Sequence, residues 1–390
     1  MRLYVATLLL ALIACGCQRA EHTPDKRQAE PKAPVYKRPA VIDFHGHLSI
    51  FGVDRIRTVF EEHGVDKILN LSGGRTGGRR WLLSRVLSER FDGRVLNAMN
   101  VDWRGFGERD WAQREAGRLH KAVKEQGFVA LKISKALGLS VRDASGQLVL
   151  PDDARIAPLW EAAAALQVPV CIHVGDPKAF WAPLDASNER IKELTVHPRW
   201  SNYGKAGVSS WEALLDASER LFRRHPRTTF VAVHFGNAAE DPKRVDRVMT
   251  ELPNVWIDVS ARVGEFGRHP AEQMRAFFIK HQDRILFGTD IGISDGYLML
   301  GSNAEQEPTM ADVGPFYAAH FRYFETNDRG IAHPSPIQGD WTVDGVGLEP
   351  KVLNKIYRDN ALRLLARVGH APKAAQPRAT SEPQAGGATP

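Results

Sequence analysis

The sequence predicts an α/β protein: a (β/α)8 TIM barrel with long loops after strands 5 and 8. Three observations carry that reading. Between residues 41 and 293 lie eight short apolar runs, each followed by a charged stretch of helical character, such as Ala112–Val123 and Trp211–Arg224. The runs are rich in Val and Ile and apolar at both parities, as strands buried on both faces of a parallel sheet must be. Eight strand–helix units in about 250 residues is the count of a closed barrel. The competing arrangement is an open doubly wound sheet. Its dinucleotide-binding version is weakened because no Gly-x-Gly-x-x-Gly turn follows the first run.

The chain has 390 residues, 43% of them hydrophobic and 25% charged, which is ample for a large core. A net charge of +6, from 52 basic and 46 acidic residues interspersed along the chain, gives no basis for nucleic-acid binding. Three cysteines exclude a disulfide scaffold. Arg2 is followed by an uncharged stretch, Leu3 to Ala14. This is too short to span about 30 Å of hydrocarbon but suits the core of a secretory signal. Its end, Leu12-Ile13-Ala14-Cys15, resembles a bacterial lipoprotein lipobox. That resemblance implies lipidation of Cys15 and a membrane anchor. Gly16, standing where an Asp would retain the protein at the inner membrane, implies the outer membrane, facing the periplasm or the cell surface. An ordinary cleaved signal is the alternative. The expected organisation is a signal over 1–17, a polar tether over 18–40, the barrel over 41–369 and a disordered Ala/Pro/Gly-rich tail over 370–390.

The runs begin at Val41, Val65, Arg94, Phe128, Val168, Thr228, Asn254 and Arg284. Buried parallel strands should end in apolar or small residues. Instead the first carries His45 and His47, the fifth His173, the sixth His234 and the eighth Asp290. In a barrel those ends converge on one face. His45 and His47, two apart on a strand, point to the same side, and Gly46 between them gives room for a divalent metal half-site. Asp43 shares their parity and could hydrogen-bond behind them or belong to a barrel layer. Cys171, two residues before His173, reads as a buried inert thiol.

Together, Phe44-His45-Gly46-His47 and the ends of runs five, six and eight resemble the amidohydrolase superfamily. The likeness is closest to its amidohydrolase-related ("amidohydrolase 2") branch of mononuclear metal hydrolases and metal-dependent decarboxylases of the aminocarboxymuconate-semialdehyde and resorcylate type. It covers roughly residues 41–367. Val352–Leu365, with its Asn360-Ala361 pair, is similar to the branch's closing helix, which packs under the barrel. The resemblance implies His45, His47, His173 and Asp290 as ligands of one divalent metal. Zn²⁺ is the default, and Mn²⁺, Fe²⁺ and Co²⁺ suit similar ligands. It also implies His234 beside the metal as general acid or base, with Asp290 accepting a proton from activated water.

Lys132 and Lys135 lie near the end of run four, where some binuclear superfamily members carry a carboxylated lysine. Parity leaves open which of the two points inward. For Lys132, binding of a substrate carboxylate, a structural role and a carbamate bridge all remain open. Long connections, from Gly175 to about Ser209 and from Ile293 to about Pro350, hold many aromatics that could wall a substrate site or pack the loops. Arg262 and Arg322 are candidate carboxylate clamps.

The expected activity is metal-dependent hydrolysis of an amide, ester or lactone of a small organic acid. The alternatives are decarboxylation or hydration of an unsaturated or aromatic acid, and a binding protein that has lost catalysis. The expected partners are a small-molecule substrate and the membrane; the branch also makes a homodimer an option.

Overall fold

The computed structural model describes residues 36–303 and 306–368. The expected signal with Cys15, most of the tether and the tail at 370–390 lie outside the described residues.

The predicted runs form β1 (Val41–Leu48), β2 (Val65–Asn70), β3 (Val95–Asn100), β4 (Ala130–Ile133), β5 (Val170–Ile172), β6 (Phe230–Ala232), β7 (Val255–Asp258) and β8 (Ile285–Leu286). The eighth run continues as β9 (Ile291–Ser294), which turns back into an antiparallel β10 (Tyr297–Leu300). β1 to β8 stand in chain order, each pairing with the next. β8 pairs with β7 and β9 pairs in parallel with β1, so the broken eighth strand closes the sheet into a (β/α)8 barrel. Two backbone bonds bridge the break: Phe44 N–H to the Phe287 carbonyl and Asp290 N–H to the His45 carbonyl, both 2.8 Å.

Ile42, Phe44, Ala130, Cys171, Val231 and Leu286 fill the barrel from its strands, and Ala361, Leu364 and Leu365 complete that core from below. Asn360 fixes this closing helix in place. It is fully buried, and its side-chain amide donates 2.8 Å bonds to the carbonyls of Gln282 and Ile285, at the entry to β8. The bottom of the barrel is therefore apolar and plugged.

Gly46 is required by packing. A Cβ there would lie 2.6 Å from Ile68 Cγ2 on β2, so the room it makes serves the neighbouring strand rather than a metal. The long connection after β9 contains a helix, Met310–Glu325. Phe316, Tyr317, Phe321, Tyr323 and Phe324 are buried along it, so its aromatics pack the excursion onto the barrel and form no substrate wall. Arg38, at the end of the expected tether, is already anchored: its guanidinium lies 3.6 Å over the Phe321 ring and pairs with Glu325.

Ends of strands 6, 7 and 8 share an unusual backbone. His234, Phe235 and Asn237 after β6, Ala261 after β7 and Asp290 between β8 and β9 all have φ between 53° and 62°. Left-handed conformation costs a non-glycine residue about 1–2 kcal/mol. Such strain persists where the surroundings over-determine it, commonly at functional sites.

Replacing Leu364 by Ala should destabilise the protein by about 3 kcal/mol, the usual cost of a cavity under a closed core. Denaturant unfolding measures it; a loss below about 1 kcal/mol would show that the closing helix does not seal the barrel.

Candidate metal centre

His45 and His47 project from the end of β1 beside Asp290. His47 Nε2 lies 3.1 Å and His45 Nε2 3.4 Å from the same carboxylate oxygen, Asp290 Oδ1. Their ligand atoms all fall within 4.8 Å of one another. His45 Nε2 and Asp290 Oδ1 are buried and have no hydrogen-bond partner. Buried polar atoms without partners are rare and costly. Two facing each other across one small space are what a divalent cation would satisfy, so the donor set fits a metal ion.

The imidazoles are aimed by groups behind them. Asp258, on β7, accepts from His45 Nδ1 at 2.8 Å. A carboxylate can only accept here, so the His45 proton sits on Nδ1 and Nε2 presents its lone pair. Ser260 Oγ donates to the other Asp258 oxygen at 2.6 Å. That oxygen also accepts from the backbone N–H groups of His234 (2.8 Å) and Ser260 (3.1 Å). Asp258 thus joins His45 and His234 in one hydrogen-bond network. His47 Nδ1 contacts Ser72 Oγ at 2.6 Å. His234 Nδ1 lies 3.0 Å from the Ser260 carbonyl, which assigns its proton to Nδ1 and leaves Nε2 basic.

His234 is placed by the left-handed turn after β6, with its ring centroid 4.6 Å from that of His45 and 4.4 Å from that of His173. His173 Nε2 is a third buried, unpartnered donor. It lines the same cavity but stands outside the close His45–His47–Asp290 group, which it meets through His234.

Protonation states suit metal binding. Burial holds His45, His173 and His234 below the usual imidazole range, which favours their neutral forms. Burial alone would raise the carboxyl of Asp258, but the imidazoles of His45 and His234 outweigh it and bring it to about 2. Asp290 is likewise held below the usual carboxylate range, by His45 and His47 against the effect of burial.

Asp43 does not touch the His45 ring. It ties the two strands that carry the donors. Its carboxylate accepts from the His45 backbone N–H (3.1 Å), the Thr289 backbone N–H (3.1 Å), the Thr289 hydroxyl (2.5 Å) and the Tyr317 hydroxyl (2.9 Å). Burial pushes its pKa up to about 6 in spite of these bonds.

The cavity, about 640 Å³ counted to its mouth, is lined by His47, His173, His234 and Asp290 together with Lys135, Arg262, Phe180 and Trp200. Of the two lysines, Lys135 is on the wall, paired with Asp176 at 2.6 Å and 5.3 Å from the Trp200 ring. Lys132 is buried, its Nζ has no partner, and burial lowers its pKa beside Cys171, Asp258 and Asp290. Burial pushes the Cys171 thiol up to about 12, which keeps it inert. Arg262 donates to the Ala261 carbonyl at 2.7 Å and makes no ion pair among the described residues. Behind it Arg190 pairs with Glu193 (2.6 Å) and with Glu265. Arg322 is no clamp: it is exposed and pairs with Asp328 at 2.6 Å.

Asp258 is the functional residue that sequence reasoning missed. Its signal was present, an acid at the end of the seventh run in Ile257-Asp258-Val259-Ser260, of the same kind as Asp290 at the end of the eighth.

A closed barrel with neutral histidines and ionised carboxylates gathered at one mouth defines the class, a metal-dependent enzyme. Residues 83–367 match the family model described as Amidohydrolase, and the chain belongs to that family of metal-dependent enzymes. No curated protein matches it. Among solved structures it is similar to a dihydroxybenzoic acid decarboxylase from Polaromonas sp. JS666 with bound manganese and 2-nitroresorcinol. That pair shares 16% identity and a TM-score of 0.49 over 84% of this chain and 97% of the other. It is also similar to 2,6-dihydroxybenzoate decarboxylase from Rhizobium (16%, 0.47, 84% and 99%). A third is 4-oxalomesaconate hydratase from Rhodopseudomonas palustris (17%, 0.47, 85% and 97%).

Tyr317→Phe should lower the melting temperature of the metal-free protein by a few degrees, the cost of a lost buried hydrogen bond, and weaken divalent-metal affinity by about tenfold, in the range seen when groups behind a ligand are removed. Competition with a chromophoric chelator measures it; unaltered affinity would separate Asp43 and Tyr317 from the metal centre.

Proposed function

We propose that the protein hydrolyses an amide, ester or lactone of a small organic acid at a single divalent metal, with Zn²⁺ the first candidate and Mn²⁺ or Fe²⁺ next. The observation that carries this is the convergence of the buried, unpartnered atoms His45 Nε2 and Asp290 Oδ1 at the mouth of a cavity that also holds an unpaired arginine. His45, His47, His173 and Asp290 would hold the ion. When bound, it acidifies water at its open position. Asp290, ionised, accepts the proton of the attacking water. His234, neutral with Nε2 free, takes that proton over from Asp290 and delivers it to the leaving group, which returns both residues to their starting forms. Arg262 holds the substrate carboxylate, a contact that compensates a buried guanidinium. Phe180 and Trp200 supply flat apolar wall to the rest of the molecule.

Decarboxylation or hydration of an unsaturated or aromatic acid is the second reading. It is favoured by the same cationic wall, Arg262 with Lys135 next to Trp200, which suits a planar acid. Product analysis across a panel of esters, lactones, amides and carboxylic acids in H₂¹⁸O separates the two. Incorporation of ¹⁸O into a product carboxylate supports hydrolysis; CO₂ release with no water consumed would replace it by decarboxylation.

We further infer a lipid anchor at Cys15 and residence in the outer membrane, supported by the Leu12-Ile13-Ala14-Cys15 sequence after its apolar stretch. Among the described residues no helix is long and apolar enough to cross a membrane. Globomycin, or Cys15→Ala, should block maturation. Unchanged processing with a soluble product would remove the anchor.

A further inference from the structure

Beside the metal cavity lies a second groove of about 1330 Å³ counted to its open mouth. The two spaces share His47 and Met299 as a common wall. Ser72, which orients His47 through Nδ1, lines the groove as well. An occupant of the groove would therefore lie against the outer side of a predicted metal ligand.

The lining is unusual for plain surface. Phe51 and Tyr297 stand on it at 60% and 41% exposure, where apolar area is left in water. Arg79 and Arg80 line the same groove, and neither makes an ion pair or hydrogen bond among the described residues. Some surface arginines of this protein hold carboxylates, as Arg104, Arg155, Arg244 and Arg268 do; what sets Arg79 and Arg80 apart is their place in one groove with Phe51 and Tyr297. Two adjacent uncompensated guanidiniums beside two exposed aromatic rings form a site for a molecule with a flat or aliphatic body and an anionic end.

We propose that this groove receives the distal part of the substrate processed at the metal centre: an aromatic or aliphatic segment ending in a carboxylate, sulfonate or phosphate. Phe51 and Tyr297 cover the body, and Arg79 and Arg80 take the anion. Met299 and His47 form the sill over which the substrate passes into the inner cavity. The substrate is thereby larger than the inner cavity alone would suggest, and its length is read by residues outside the metal site. The inference rests on the proposed function for its link to the metal, but occupancy of the groove does not require metal.

The probe is 8-anilinonaphthalene-1-sulfonate, an aromatic anion whose fluorescence rises on binding, titrated into wild type and three variants. Wild type should bind one molecule per chain. Arg79→Ala/Arg80→Ala and Phe51→Ala should each weaken binding by about tenfold, the loss of one well-made contact. Added salt should weaken binding to wild type but not to the double arginine variant. His45→Ala, which touches the metal group but not the groove, should bind the probe as wild type does. It thus separates failure of the metal reading from failure of the groove. Wild-type affinity in both Arg79→Ala/Arg80→Ala and Phe51→Ala, or no binding to wild type, would overturn the proposal.

Discussion

The site depends on one buried carboxylate. Asp258 has no exposure, yet it fixes which nitrogen of His45 carries the proton and holds the backbone of His234 in a left-handed turn. It does this across the ends of β6, β7 and β1. An ionised group in the interior is costly unless it is paired and hydrogen-bonded. Asp258 accepts from His45 on one oxygen and from His234 and Ser260 on the other. Without it His45 could take the other tautomer and turn a proton, rather than a lone pair, toward Asp290.

Around that constraint the two ends of the barrel are built on opposite principles. The lower end is sealed by Leu364 and Leu365, and Asn360 beside them is satisfied by carbonyls. The upper end keeps polar atoms buried and unpartnered and bends its strands through positive φ at His234, Ala261 and Asp290. The break at Asp290 shows the coupling: the same distortion that interrupts the eighth strand lets β9 reach β1 and close the barrel while turning a carboxylate toward two imidazoles.

Much of this was legible from pattern. Apolar runs at both parities located all eight strands, because burial on both faces leaves no other composition open to them. His45, His47, His173, His234 and Asp290 stood out because each interrupts such a run near its end, and the structure gathers all five at one mouth. What stayed illegible has physical reasons. A left-handed turn at His234-Phe235 has no clear sequence signature, since Phe disfavours it and His, though less averse, is mostly found elsewhere. Gly46 reads as space for a ligand, but only the neighbouring strand reveals Ile68 as its cause. The Met310–Glu325 helix is masked by Pro315 within it and by aromatics that face the barrel. Asp258 carried the same signal as Asp290 but lay within a run whose apolar character hid it.

The central claim, that these side chains form a metal centre, is tested most directly by elemental analysis. Metal content by inductively coupled plasma mass spectrometry would be measured on the purified protein and on its His45→Ala/His47→Ala variant. The account predicts about one divalent ion per chain in the wild type and none in the variant. A wild-type protein that holds no metal, even after reconstitution with Zn²⁺ or Mn²⁺, would contradict it.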